Sequence, residues 1–452
     1  MRFPRAVFFA ALADVAASQL VVSANFKRVS FLPDLAQITR RGAFDVTAIN
    51  NLTGGGYYSE VEVGTPGQKM LMLLDTGSTD PWVIDKQADL CNSSSLFFGS
   101  GCTSTFDKNK SSTYNLVMSN GFDATYGDTS NVQGDYISDT ININGTKVLS
   151  QQLGLGIRTH RGELFMGTGI MGLGLSKGLS TNQSYPTILD NMVSQNLIGR
   201  KVFSLWLNSL SSSEGTLLLG GIDTEKYIGS LTTLPLVDNY HSKRIDSYNV
   251  AMSGISLETP DGKRTEFAAE DFNASTLLDS GSTTCLLPDS IANRIWEKFN
   301  VTALHDVIAL NNFTDVLRLA PIPNTGIVDC NWRGPEGETH FFDFAFYRVT
   351  IRVPLEEMVL DNLGPYMDLL EHLRLPYKPC TFGIQRNSLF KKQSSGLAAV
   401  LGDTFLRSAY VVYDETNQQV GIAQSNLNST RSNVIELRAD ETALPTATGV
   451  AS

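Results

Sequence analysis

The chain has 452 residues, of which 42% are hydrophobic and 18% are charged, a composition typical of a globular protein rather than a disordered one. Its 35 Lys and Arg residues against 46 Asp and Glu residues give a net charge of −11. An acidic balance of this size argues against a nucleic-acid partner. At about 150 residues per domain, the chain is long enough for two or three structural units.

The N-terminus predicts a secretory signal peptide over residues 1–24. Arg2 and Arg5 precede an apolar stretch, and small residues near Ala17 or Ala24 suit a cleavage site. No later apolar run is long enough to span a bilayer. We therefore expect a secreted, extracellular monomer without a membrane anchor, with the cell wall and the vacuole as alternative locations.

Residues 25–41 predict a removable pro-segment. The segment ends in the dibasic pair Arg40-Arg41, which processing proteases commonly cut. The alternative is a solvated basic pair in a flexible leader. We favour processing, and therefore expect a zymogen.

One heptapeptide occurs twice in the chain. Leu-Leu-Asp-Thr-Gly-Ser-Thr at residues 73–79 returns as Leu-Leu-Asp-Ser-Gly-Ser-Thr at residues 277–283. Two leucines before an aspartate predict a buried strand that ends in a carboxylate, and the glycine permits a sharp turn. The neighbouring hydroxyls can donate hydrogen bonds to that carboxylate. The repeat predicts two related lobes that contribute Asp75 and Asp279 to one shared site.

The paired heptapeptides resemble the active-site motifs of the pepsin-like aspartic proteases, most closely the secreted fungal candidapepsin- and yapsin-like branch. The resemblance covers roughly residues 50–425. It implies an all-β, bilobal double-barrel fold with a central cleft and a few short helices. The N-terminal lobe is expected over residues 42–212 and the C-terminal lobe over residues 213–426. Residues 427–452 are polar, and we expect a disordered tail there.

The resemblance also implies the chemistry. Asp75 and Asp279 would hold one proton between them and activate a water against a peptide bond of a protein or peptide substrate, without a metal or another cofactor. Hydroxyls beside each aspartate would fix the turns across the junction of the lobes and donate to the carboxylates. The implied supporting positions are Thr76, Gly77, Ser78, Ser280, Gly281, Ser282 and Trp82, and the implied flap or substrate-binding positions are Tyr126, Gly127, Asp128 and Thr283.

Residues 122–140 resemble the β-hairpin flap of the family, which closes over bound peptide. The resemblance implies that Tyr126 packs across the substrate and that the indole N–H of Trp82 supports it. Asp128 has two interpretations that stay open. It could receive a lysine or arginine of the substrate, or it could be an ordinary turn-forming aspartate.

The chain contains five cysteines, and four cysteines can pair in three ways that sequence does not resolve. The resemblance implies the disulfides Cys91–Cys102 and Cys330–Cys380. Cys285 is left over, and a small buried hydrophobic residue is a better interpretation than a reactive thiol. Nine Asn-x-Ser/Thr sequences predict glycosylated surface loops: Asn51, Asn92, Asn109, Asn144, Asn182, Asn273, Asn300, Asn312 and Asn428.

Three other patterns point to different chemistry. Residues 167–172 match a dinucleotide fingerprint, but they lack the βαβ context that it needs. Residues 174–178 match the G-x-S-x-G elbow of serine hydrolases, with Ser176 as the nucleophile, but few helical stretches support that fold. The five histidines are too isolated to predict a metal site: His160, His241, His305, His340 and His372.

Local patterns predict a few further elements. We expect helices over residues 184–196 and 289–299, one long strand over residues 341–353, and a helix followed by a strand over residues 401–414. The function that these observations favour is an aspartic endopeptidase. A catalytically inactive binding or inhibitor protein on the same fold is the alternative.

Overall fold

The computed structural model describes residues 21–29, 56–92, 102, 104–127, 130–160, 168–181, 183–212, 214–310, 324–363, 370–371, 373, 375–389 and 398–451. Residues 1–20 of the predicted signal and the Arg40-Arg41 pair lie outside these ranges, as does Asp128.

The described part of the chain is built mainly from β-strands. In its first half these are β1 Val22–Val29, β2 Gly56–Val63, β3 Gln68–Asp75, β4 Trp82–Ile84, β5 Asn115–Thr125, β6 Asn131–Ile143, β7 Thr146–His160, β8 Gly169–Gly172, β9 Val202–Trp206, β10 Glu214–Leu219, β11 Gly221–Asp223 and β12 Tyr227–Pro235. In its second half they are β13 Asn249–Met252, β14 Gly254–Glu258, β15 Arg264–Glu266, β16 Ala274–Leu278, β17 Cys285–Leu287, β18 Thr302–Ala303, β19 Gly326–Asp329, β20 Phe341–Ala345, β21 Thr350–Pro354, β22 Val359–Leu360, β23 Pro379–Phe382, β24 Ile384–Arg386, β25 Ala398–Leu401, β26 Ala409–Asp414, β27 Gln419–Ser425 and β28 Val434–Glu436.

The α-helices of the described residues are short. They are α1 Asp89–Asn92, α2 Ile188–Ser194, α3 Asp289–Phe299, α4 Leu304–Leu310, α5 Pro335–Glu338 and α6 Asp403–Leu406. The predicted all-β class with a few short helices is therefore confirmed. The helices predicted over residues 184–196, 289–299 and after residue 401 are present as α2, α3 and α6.

One sheet of 13 strands crosses the molecule and draws on both halves of the chain. Its order is β12-β27-β26-β9-β10-β1-β2-β3-β8-β4-β7-β6-β5. The second half adds a five-stranded sheet, β13-β16-β25-β17-β24, and two four-stranded sheets. Apolar side chains of these sheets and of α2 and α3 form one large buried core. The two halves are thus joined by continuous backbone pairing as well as by a packed core.

The expected lobe boundary between residues 212 and 213 falls within this continuous sheet. β9 and β10 pair antiparallel with each other, from Thr216 opposite Trp206 to Leu219 opposite Phe203. The serine-rich stretch between them therefore connects two neighbouring strands. The serine-rich composition of this stretch is typical of a linker. Its two ends nevertheless lie close together, because the apolar strands β9 and β10 on either side pair with each other.

The predicted boundary between residues 24 and 25 falls inside a strand. β1 pairs antiparallel with β10 on one side and with β2 on the other. Val22 and Ala24 of this strand are buried. A segment that contains parts of the predicted signal and of the predicted pro-segment therefore lies in the middle of the large sheet.

The prediction of a disordered tail over residues 427–452 is wrong for the part that the structure describes. β28 pairs with β11, and Leu437 and Leu444 are buried against the sheet. The polar composition of the tail hid a short segment, Val434 to Leu437, whose three apolar residues contribute to the strand and to the buried side chain that follows it.

The prediction of one long strand over residues 341–353 is also wrong. These residues form a hairpin in which β20 pairs with β21, from Phe341 opposite Pro354 to Ala345 opposite Thr350. Tyr347 at the turn has a φ of 54°. The alternation of apolar and polar residues is the same in two paired strands as in one, so periodicity alone did not locate the turn.

Candidate active site

Two loops of the same construction carry the repeated motif. β3 ends at Asp75, and β8 runs parallel to it with Gly172 opposite Asp75. In the second half β16 ends at Leu278, immediately before Asp279, and β25 runs parallel to it. The backbone N–H of Asp279 donates to Leu401 O at 3.0 Å, which fixes the second loop against β25. The duplicated sequence therefore folds into a duplicated local structure.

Reciprocal hydrogen bonds join the two loops. Thr76 Oγ1 donates to Leu278 O at 2.8 Å and accepts from the N–H of Ser280 at 3.0 Å. Ser280 Oγ donates to Leu74 O at 2.9 Å and accepts from the N–H of Thr76 at 3.2 Å. Both hydroxyls are buried. Each side chain thus bonds backbone on the opposite side, and the two halves hold each other in register.

Each carboxylate is also oriented by its own turn. The N–H of Gly77 donates to Asp75 Oδ1 at 2.8 Å, and Ser78 Oγ makes a short hydrogen bond to Asp75 Oδ2. In the second loop the N–H of Gly281 donates to Asp279 Oδ1 at 2.9 Å, and Ser282 Oγ donates to Oδ2 at 2.7 Å. Matching donors therefore hold both carboxylates in matching orientations.

The two aspartates face each other across the glycines of the motif. A Cβ on Gly77 would overlap the carboxylate of Asp279, and a Cβ on Gly281 would overlap that of Asp75. Glycine is needed at both positions because any side chain would enter the space between the two acids.

The close approach of the acids has an electrostatic consequence. Asp75 is only 5% exposed, whereas Asp279 is half-buried. Burial, and then the negative charge of Asp279, raise the pKa of Asp75 to about 7. The pair therefore keeps one proton at acid pH, and that proton is shared between adjacent carboxylates.

A hairpin made of β5 and β6 corresponds to the predicted flap. Its strands pair from Asn115 opposite Ser138 to Thr125 opposite Asn131. The indole N–H of Trp82 donates to Tyr126 OH at 2.7 Å, which is the contact expected from the sequence. Gly127 is exposed beside the tip. Neither interpretation of Asp128 is tested, because that residue lies outside the described residues.

Thr283 lies at the end of the second motif. Its carbonyl accepts from the N–H of Thr404 at 3.1 Å, which joins the second loop to α6. The N–H of Asp403 donates to Ser282 O in the same way, at 2.8 Å. These bonds support the loop from behind, and the substrate contact predicted for Thr283 stays a prediction.

The cysteines pair as the resemblance implied. Disulfides join Cys91 to Cys102 and Cys330 to Cys380. Cys285 is a free, fully buried thiol, and burial raises its pKa to about 11. A thiol that is neither exposed nor ionised suits the structural interpretation that the sequence favoured.

The competing patterns lie in structural positions. Residues 169–172 of the fingerprint form β8, a fully buried strand of the large sheet. Ser176 Oγ donates to Glu415 Oε1 at 2.7 Å and to Asp190 Oδ2 at 3.1 Å, and Lys201 forms ion pairs with both acids. These contacts give Ser176 a role in connecting its loop to the β26–β27 turn.

One group of residues in the described part of the chain has metal-ligand types in proximity: Cys330, Asp361 and Cys380. Both of its sulfur atoms form a disulfide. A disulfide sulfur is a poor metal ligand because the thiolate is the coordinating species.

Sequence reasoning missed Asp80, which lies between the first motif and Trp82. Its carboxylate is buried and accepts hydrogen bonds from the hydroxyls of Tyr136 and Tyr185. The feature that could have drawn attention to Asp80 is its charge, because the residues around it are otherwise mostly uncharged and buried. Its two tyrosine partners lie 56 and 105 residues further along the chain, and no local pattern connects them.

Two adjacent carboxylates on duplicated loops that are joined by reciprocal hydroxyl bonds define the aspartic protease class of site. The eukaryotic aspartyl protease family model matches residues 56–425. The chain belongs to this family, and the resemblance drawn from its sequence is confirmed.

The relatives are fungal proteins. The probable aspartic-type endopeptidase opsB of Aspergillus fumigatus is 33% identical over 394 residues, which cover 87% of this chain and 73% of the relative. The protein of the same name from Aspergillus oryzae is 32% identical over 436 residues, covering 96% and 82%. Secreted aspartic protease 8 of Candida albicans is 29% identical over 392 residues, covering 85% and 79%. The predicted enzyme class, an aspartic-type endopeptidase, is therefore that of the family.

Proposed function

We propose that this protein is a secreted aspartic endopeptidase that hydrolyses peptide bonds at acid pH. Asp75 and Asp279 form the catalytic pair. The observation that carries the proposal is the set of reciprocal bonds between Thr76 and Ser280, because it holds acids from two halves of the chain against each other.

The proposed reaction needs only the proton that the pair shares. The ionised carboxylate takes a proton from a water molecule, which attacks the peptide carbonyl carbon. The protonated carboxylate donates to the carbonyl oxygen, and a proton then passes to the leaving nitrogen as the C–N bond breaks. Ser78 and Ser282 keep the carboxylates aligned. Tyr126 packs over the peptide and excludes bulk water.

Operation at acid pH is supported by the raised pKa of Asp75. A carboxyl whose pKa is raised keeps its proton at mildly acidic pH and loses it as the pH rises. Because that pKa is about 7, activity should fall as the pH passes neutrality and both acids become ionised. At very low pH both acids are protonated, and the base is lost.

Secretion is supported by features outside the candidate active site. Two disulfides suit an oxidising compartment. One relative carries the word secreted in its name. Within the described residues, no helix is both long and apolar enough to cross a membrane. Release of a signal peptide and of the pro-segment before residue 42 remains part of the proposal.

The inactive alternative is disfavoured because both acids and their orienting hydroxyls are intact. The test is cleavage of an unfolded protein substrate at several pH values, with and without a statine-containing peptide that mimics the tetrahedral transition state. We expect cleavage at acid pH that the mimic abolishes. If a correctly folded and processed protein cleaved no peptide at any pH, the endopeptidase proposal would be wrong and the binding or inhibitor role would be favoured.

The serine hydrolase interpretation is tested in the same assay. Asp75→Asn should abolish cleavage, whereas Ser176→Ala should retain it. The reverse result would restore Ser176 as the nucleophile.

A further inference from the structure

A second buried carboxylate, that of Asp80, holds three segments of the N-terminal half together. Asp80 is 2% exposed. Its Oδ1 accepts from Tyr136 OH at 2.9 Å and from Tyr185 OH at 2.6 Å, and its Oδ2 accepts from the N–H of Ser180 at 2.7 Å. Burying a carboxylate is costly unless donors replace the lost water. Three donors do so here, in a cluster that is otherwise largely apolar.

The donors come from the flap and from the segment before α2. Tyr136 lies on β6, the second strand of the flap hairpin. Its ring contacts Phe122 on β5 edge to face, with centroids 5.5 Å apart. Tyr185 also packs edge to face on Tyr136, at 5.5 Å. Asp80 is therefore bonded to β6 through Tyr136, whose ring in turn packs on β5.

The same short segment of chain also contacts the flap tip. Two residues after Asp80, the indole of Trp82 donates to Tyr126 OH. Trp82 packs against Phe122 as well, with centroids 6.2 Å apart. The segment that follows the Asp75 loop is thus bonded to the hairpin at two positions. Asp80 binds Tyr136 toward the base, and Trp82 binds Tyr126 beside the tip.

We propose that Asp80 is a positioning residue that fixes the base of the flap to the segment after Asp75 and so sets how well the flap closes on a bound peptide. The inference rests on the endopeptidase activity proposed above. Asp80 has no role in proton transfer, and it acts on the substrate only through Tyr136 and the hairpin.

The two tyrosines provide a matched pair of variants. Each hydroxyl donates to the same carboxylate oxygen, and Phe keeps each ring in its packing. Burial and the charge of Asp80 raise the pKa of both hydroxyls, so both remain donors across the working pH range. Tyr136→Phe cuts the connection to the flap. Tyr185→Phe removes one of the two bonds to the segment before α2, which stays joined to Asp80 through the N–H of Ser180.

The experiment measures kcat, KM and inhibition by the statine-containing peptide for the wild type and both variants, with thermal unfolding as a second readout. We expect Tyr136→Phe to lower kcat/KM and weaken the inhibitor about five- to tenfold, which is less than the full value of a hydrogen bond to a charged group because the substrate feels the lost bond only through the hairpin. Tyr185→Phe should change either value less than about twofold. Both variants should lower the Tm by similar amounts, since each loses one equivalent bond.

Amide hydrogen exchange provides a readout that does not depend on activity. Exchange over residues 115–143 should accelerate in Tyr136→Phe and stay near wild type in Tyr185→Phe. Equal effects of the two variants, in exchange or in kcat/KM, would overturn the positioning role and leave Asp80 a general stabilising group. If the wild type cleaved no peptide, the proposed function would fail, and the exchange result would still decide the role of Asp80.

Discussion

The two aspartate loops are alike through the repeated heptapeptide, residues 73–79 and 277–283, and different immediately beyond it. In both loops a glycine N–H and a serine hydroxyl orient the acid, and a strand runs parallel behind the strand that carries the loop. Five residues after each acid the chain has Asp80 in the first half and Thr284 in the second. Seven residues after, it has Trp82 and Leu286.

This difference separates two tasks. The shared part of the repeat places two acids, and it works as a pair because each half supplies hydrogen bonds to the other. The unshared part exists only in the first half, where Asp80 and Trp82 give polar contacts to the flap. Leu286 is buried and apolar at the matching position. The part of the repeat that is shared by both halves therefore positions the two acids that share a proton. The part found only in the first half connects to the flap, which we propose closes over one side of the site.

The strongest test of the symmetric part replaces each acid. Asp75→Asn and Asp279→Asn should each lower kcat/KM by at least about a thousandfold, because either change removes the shared proton arrangement. The double variant should be no worse than the single ones, since the two acids act as one unit. Substantial residual activity in only one single variant would break the equivalence of the loops.

The next largest effect is expected from breaking the hydrogen bonds that join the two aspartate loops. Thr76→Val keeps the shape of the side chain but leaves the buried N–H of Ser280 without its acceptor and leaves Leu278 O with only the longer bond from Tyr413 OH, at 3.4 Å. We expect a loss of about 2–4 kcal/mol in the free energy of unfolding, measured in urea. Thr79→Val is the control, because its hydroxyl makes one bond, to Leu175 O, within the first half. If both variants unfolded equally easily, the halves would not be coupled at Thr76.

The sequence predicted what is local or duplicated. The two motifs predicted the paired acids because each turn depends on adjacent residues, and the copy supplied the partner. α3 was predicted to the residue, since its apolar positions recur on one face and Pro288 precedes it.

The features that sequence missed depend on distant contacts. Val22–Val29 pairs with strands about 30 and 190 residues away, and its own composition could not distinguish a leader from a sheet strand. Asp80 is identified only by its contacts with Tyr136 and Tyr185, which the fold brings to it from distant parts of the chain. The role of Asp128 stays a prediction because no local pattern distinguishes a turn from a substrate contact and the residue lies outside the described residues.

Unequal burial of the two acids predicts a pH-dependent stability. Because its pKa is raised in the folded state, Asp75 binds its proton more tightly there than in the unfolded chain. The folded state is therefore penalised as the pH rises from about 4 toward about 7. Asp75→Asn should raise the free energy of unfolding by about 1–3 kcal/mol at pH 7, and the gain should vanish near pH 3. Urea unfolding at both pH values measures it, and an equal gain at both would remove the electrostatic explanation.

The smallest expected effect comes from the contact between Trp82 and the flap, which is found only in the first half of the chain. Tyr126→Phe removes the hydroxyl that accepts from the indole of Trp82, so the flap tip loses a bond but keeps the ring that we propose packs over the substrate. One hydrogen bond of this kind contributes about 1 kcal/mol, so kcat/KM should fall about fivefold with an extended peptide. Leu286→Met is the control at the matching position of the second half, where the side chain is buried and apolar, and it should change kcat/KM less than about twofold. Equal losses in the two variants would mean that both halves govern closure, and the division between a symmetric proton site and an asymmetric cover would have to be abandoned.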